Sequence, residues 1–159
     1  MVNIENIENL LKEYAKLWTA IAEAEIATYV LPESYCILDT DYDGYDYSNE
    51  QMLYKLFGKL GNHEFVALYV PKEYNDRADE CPLLFVDPET IDDNGFINGS
   101  TVLLGNLKIY LSKMIDEYLA TKPSDKELLQ QCNHVKHKIR NWSTHLLELP
   151  YKLKPYDWS

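Results

Sequence analysis

The 159-residue chain is short of basic side chains, of glycine, of paired cysteines and of long apolar runs. Fifteen Lys and Arg face 26 Asp and Glu, a formal net charge of −11. The imbalance is uneven: residues 1–120 carry 22 acidic against 8 basic groups, a balance of −14, whereas 121–159 carry 4 against 7, a balance of +3. Such an acidic body repels phosphate backbones, which disfavours direct nucleic-acid binding and favours a basic protein partner. With six glycines, backbone cradles for phosphate are scarce, and neither a G-x-S-x-G elbow nor a phosphate-binding glycine loop occurs. The reading is accordingly non-enzymatic, with no cofactor expected. Cys36, Cys81 and Cys132 are odd in number and lack C-x-x-C spacing, which suits buried thiols in a reducing compartment. The longest apolar runs, such as FVALYV at 65–70, fall far short of the roughly 20 residues of a membrane helix. Met1 leads into a polar, acidic segment without a signal-peptide pattern, so a cytoplasmic protein is expected.

What is present is the balance of a globular protein: 46% hydrophobic and 26% charged residues. Ile7, Leu11, Tyr14, Trp18 and Ile21 recur at three- and four-residue steps, predicting an amphipathic helix that runs to about Thr28. Pro32 opens a short second helix to about Leu38, and Ser48 with Gln51 predicts a capped third helix over about 49–60. EFVALYV (64–70) and PLLFV (82–86) read as strands around a charged loop, KEYNDRADE (72–80). DDNGF (92–96) signals a turn, so 82–91 and 95–104 are expected to pair as a hairpin. Asn106 caps a helix carrying Leu107, Tyr110, Leu111, Met114 and Tyr118, and another helix is expected over roughly 124–148. The closing PYKLKPYDWS is proline-broken and aromatic, and either docks back or hangs free. The expected fold is α+β, an antiparallel sheet of a few strands packed by N-terminal and C-terminal helices. One domain over 1–120 carries a C-terminal helical extension over 121–159.

The stretch DTDYDGYDYSNE at 39–50 fits the calcium-loop pattern D-x-[DN]-x-[DN]-G-x5-E at Asp39, Asp41, Asp43, Gly44 and Glu50. In that reading Asp39, Asp41, Asp43 and Glu50 supply carboxylates and Tyr45 a backbone carbonyl, with helices on either side. Asp46 stands where an aliphatic residue normally pairs with a second hand. An acidic contact surface and a solvated turn are the other readings of the same twelve residues.

Cys132, His134 and His137 sit together in CNHVKH, but on a helix only the two histidines share a face and no fourth ligand is apparent. Thirteen tyrosines are the remaining signal, several interleaved with acids. Tyrosine gives large amphipathic contact area at little entropic cost, and carboxylates set among tyrosines can imitate a phosphate backbone in a basic cleft. The expected partner-binding residues are Asp39, Asp41, Tyr42, Asp43, Tyr45, Asp46 and Tyr47, helped by Glu73, Tyr74, Asp76, Asp79 and Glu80.

Two segments resemble a known family. IAEAEIATYVLPESYCIL at 21–38 resembles the opening of the SUKH superfamily, in which a helix rich in Glu and Ala leads to an LPxxY stretch that starts the next helix; Leu31, Pro32, Glu33, Ser34 and Tyr35 match it. CPLLFVDPET (81–90) followed by STVLLGNLKIYLSKMI (100–115) resembles that superfamily's closing strand, turn and helix. The resemblance covers about residues 18–119 and implies an α+β domain that often serves as an immunity protein neutralising a bacterial toxin such as a nuclease. Other members act as regulatory scaffolds. In the family the stretch after LPxxY ends in an Asn-Gly-Gly-like cap, whereas this chain supplies Asp39 to Gly44. Gly44 then becomes the left-handed cap of the helix opened by Pro32, and aspartates there oppose the helix dipole at about 0.3–1 kcal/mol each.

Overall fold

The computed structural model describes residues 1–22, 24–30, 36–37, 51–59, 65–87, 96–97, 102–148 and 154–155. The chain opens with helices α1 (Ile4–Glu13) and α2 (Ala15–Ala22), which break at Tyr14, and α1 starts at a capping box in which Asn3 and Asn6 bond each other's backbone N–H. Strands β1 (Ala24–Val30), β2 (Cys36–Ile37), β3 (Gln51–Lys59) and β4 (Phe65–Pro71) follow. Then come β5 (Leu83–Val86), β6 (Phe96–Ile97) and β7 (Val102–Gly105). Helices α3 (Leu107–Ala120) and α4 (Lys126–Ile139) and a short β8 (Lys154–Pro155) complete the described elements. The architecture is α+β: one sheet has the order β1-β3-β4-β5-β7-β8, and β2 pairs with β6 apart from it. Pairing is antiparallel from β1 to β7, and parallel for β7 with β8 and for β2 with β6.

Alternation along β4 divides the sheet into two faces. Val66, Leu68 and Val70 join the main core with Ile7, Leu11 and Trp18 of the N-terminal helices, Leu111 and Ile115 of α3, and Cys132, Val135 and Ile139 of α4. Phe65, Ala67 and Tyr69 point the other way and are buried too, so β4 is covered on both sides. Aromatic packing fixes the helices to the sheet: the Trp18 ring meets Phe57 edge-on at 6.1 Å, and Phe57 lies 6.0 Å from Tyr110. Each such pair contributes about 0.5–1.5 kcal/mol beyond its buried area. Among the described residues no helix is long and apolar enough to cross a membrane.

Several elements differ from the sequence expectation. The first helix stops at Ala22, and Ala24–Val30 is a strand paired with β3. Its β-branched Ile26, Thr28 and Val30 suit a pleated surface, and cross-strand bonds outweigh the residual helical spacing. The helix expected over 49–60 is strand β3. A β-bulge between Lys55 and Phe57 explains the deception, because it buries the consecutive residues Leu56 and Phe57 and so breaks the two-residue period. Cys36–Ile37 likewise form a strand rather than the end of a helix. The last long helix ends at Ile139, where Asn141, Ser143 and Thr144 disfavour continuation. The expected hairpin is met in part: Leu84 stands opposite Leu103 and Phe85 opposite Val102, whereas Phe96–Ile97 of the second arm pairs with β2. Gly105 at φ +106° turns the chain out of β7, and Asn106 caps α3 as its position predicts, its side chain accepting from the Ile109 N–H at 2.9 Å.

Candidate functional site

The charged loop between β4 and β5 is the described part of the expected partner surface. Pro71 ends the strand in extended backbone, and two short 3-10 turns follow at Lys72–Tyr74 and Ala78–Glu80. Backbone bonds from Arg77 to Tyr74 (2.9 Å) and from Glu80 to Arg77 (3.0 Å) close the turns. Ala78 and Cys81 are fully buried beneath them. Residues ahead of α1 and after α4 fasten this loop. The Val2 N–H donates to the Asp76 carbonyl at 3.2 Å and the Ala78 N–H to the Val2 carbonyl at 2.8 Å. From the other side, the Leu147 N–H donates to the Glu80 carbonyl at 2.7 Å.

On this fixed frame Glu73 and Asp76 stand exposed, and neither carboxylate makes an ion pair with a described residue. Tyr74 is half-buried, with the Arg77 guanidinium 4.2 Å above its ring, a cation–π contact. Arg77 Nε also lies 3.8 Å from Glu80 Oε2. One arginine thus serves both the aromatic ring and the half-buried Glu80, leaving the outer two acids uncompensated. The local field registers on Cys81: burial pushes its thiol up from the ordinary 9.0 to about 12, with Glu80, Asp79 and Glu73 adding to the shift and Arg77 opposing it.

Asp79 departs from the expected outward set. Only 8% exposed, its Oδ2 accepts the Ser143 N–H at 2.7 Å, so the carboxylate is spent on holding the segment after α4. Asn106 works beside it, its Nδ2 donating to the carbonyls of Ser143 (3.1 Å) and His145 (2.9 Å) while its Oδ1 caps α3. Sequence reasoning identified the cap but missed this second task, and it passed over Arg77; the three-residue steps from Tyr74 to Arg77 to Glu80 were the available signal.

The remaining expected positions are distributed as follows. Asp39, Asp41, Tyr42, Asp43, Tyr45, Asp46, Tyr47 and Glu50 lie outside the described residues. The exiting helix that a calcium loop ending at Glu50 needs is replaced by β3 from Gln51 onward. Cys132 is buried in the core, its thiol pKa raised chiefly by burial. His134 is exposed and tilted over Tyr14 at 6.5 Å, and His137 is exposed. Among the described residues no group of three His, Cys, Asp or Glu is placed to hold a metal ion.

No protein-family model matches the chain, and no curated protein and no solved structure does so either. The functional reading therefore stands on the residues themselves.

Proposed function

We propose that the protein is a non-enzymatic binding protein that captures a basic protein partner on an acidic, tyrosine-bearing surface, in the manner of an immunity protein neutralising a toxin. The observation that carries this reading is the pair of exposed carboxylates of Glu73 and Asp76, without an ion pair among the described residues, flanking Tyr74 on a loop bonded to Val2 and Leu147. Rigid presentation lowers the entropic cost of association, and complementary charge speeds encounter and selects the partner. The acids of Asp39 to Asp46 belong to the same reading by their charge in the sequence. The SUKH resemblance belongs to this proposal, although Ala24–Val30 is a strand where it implies a helix and β6 lies between β5 and β7. The free buried thiols of Cys81 and Cys132 are in keeping with a reducing, cytoplasmic setting.

Affinity capture from the native host, with the immobilised full chain, tests the reading. The expected catch is a basic protein that is toxic when expressed alone and harmless when co-expressed with this chain. Its retention should fall steeply between about 50 and 500 mM salt and be weakened by Glu73→Lys with Asp76→Lys. Retention unaffected by both salt and the double substitution would refute the electrostatic surface.

A further inference from the structure

A concave feature lies between α1 and the C-terminal end of α4. It is an open groove of about 300 Å³ lined by Asn6, Asn9, Leu10, Glu13, Lys138 and Trp142. Asn6, Asn9 and Glu13 follow one another along one stripe of α1, at steps of three and four residues. Opposite them, Lys138 Nζ holds Glu13 Oε2 at 2.7 Å and sits 5.6 Å from the Tyr14 ring. Trp142 is set just past α4, its N–H bonded to the Ile139 carbonyl at 3.0 Å. Lys108 Nζ steadies that turn by donating to the carbonyls of Arg140 (2.9 Å) and Trp142 (3.3 Å). The Lys138–Glu13 pair joins the two walls at one end of the groove, and the Lys108 bonds hold the turn that carries Trp142.

The open hydrogen-bonding capacity defines what fits. Asn6 spends its Oδ1 on the Asn3 N–H, which leaves its Nδ2 as a donor. The Asn9 carboxamide makes no hydrogen bond with a described residue, so it offers both a donor and an acceptor. The Glu13 carboxylate is taken by Lys138 Nζ and by the Tyr14 side chain, whereas Lys138 keeps further donors, and the Glu13–Lys138 pairing leaves the groove without net charge. Neutral donors and acceptors beside a half-buried indole suit a ligand whose groups both give and accept hydrogen bonds and which also presents an apolar face. A pyranose ring has that chemistry, with hydroxyls around its edge and C–H groups on its face to lie against the indole. From Asn6 to Glu13 the wall is about 10 Å long at the helical rise per residue. That length takes one or two sugar rings but only about three residues of extended peptide, too few to offset the ordering of a flexible chain.

We propose that the groove between α1 and the end of α4 binds a short neutral saccharide, with Trp142 stacking on a sugar face and Asn6, Asn9 and Lys138 reading its hydroxyls. The full chain is applied to an array of neutral, sialylated and sulfated glycans, and the best neutral glycan is titrated by calorimetry. Expected is a neutral glycan bound at least tenfold more weakly by Asn9→Ala, at an exposed position, and by Trp142→Phe, which keeps an aromatic ring against the core. Glu73→Lys with Asp76→Lys should leave this affinity unchanged, separating the groove from the acidic surface. Binding of no neutral glycan, a preference for charged ones, affinity unchanged in both groove variants, or capture on a peptide array at the same residues in place of sugar would each overturn the proposal.

Discussion

The Asp79 carboxylate receives the Ser143 N–H at 2.7 Å across 64 residues of sequence, and through this bond the β4–β5 loop fastens the chain that leaves α4. A buried carboxylate with a single strong partner is costly to disturb, because removing either side leaves a desolvated polar group unmatched.

Asp79→Ala should therefore destabilise the protein by about 1–3 kcal/mol, read as a lower urea midpoint at unchanged slope. Limited proteolysis should cut within 143–148 in the variant under conditions that spare the parent. Asp79→Asn retains an acceptor oxygen and should fall between the two.

Asn106 separates two tasks that substitution can tell apart. Asn106→Asp keeps an acceptor for the Ile109 N–H but loses both donor bonds, to Ser143 and His145. Amide exchange should then quicken over 143–147 while the first turn of α3 stays protected. Asn106→Ala should expose both, with a cap loss of about 1 kcal/mol added.

Phe57 joins β3 to Trp18 and Tyr110 and is 2% exposed. Phe57→Ala should cost about 3–5 kcal/mol, a large share of the roughly 5–15 kcal/mol that stabilises a typical domain. Thermal unfolding by circular dichroism measures it. A loss under 1 kcal/mol would contradict the placement of this residue at the helix–sheet contact.

Cys81 makes stability depend on alkaline pH. Its folded pKa of about 12 lies above the ordinary 9.0, so the folded state retains the thiol proton where the unfolded chain has lost it. The contribution is fully present below pH 9 and is lost progressively as pH rises from there toward 12. Denaturant midpoints should fall over that window, and Cys81→Ala should flatten the slope after correction for its own cavity. In the folded parent, alkylation of Cys81 at pH 8 should be slow and should accelerate on unfolding.

The sequence by itself determined what local periodicity and local chemistry can carry. The apolar stripes of α1, α3 and α4, the cap at Asn106, the buried runs of β4 and β5 and hence the α+β class follow from residues within a few positions of one another. Glu73 and Asp76 were legible as exposed acids because they lie in the charge-dense stretch KEYNDRADE. Tertiary structure alone decided what depends on distant partners. Leu53, Leu56 and Phe57 fit a helical stripe equally well until β4 supplies the ladder and the bulge that make them strand. Asp79 looks like its neighbours Asp76 and Glu80 until Ser143 arrives to accept burial beside it. The groove of Asn9, Glu13, Lys138 and Trp142 joins residues more than 120 positions apart, linked by the ion pair from Lys138 to Glu13 across 125 residues. Hydrogen bonds and packing between remote segments have no counterpart in local spacing, so only the folded chain could bring these groups together.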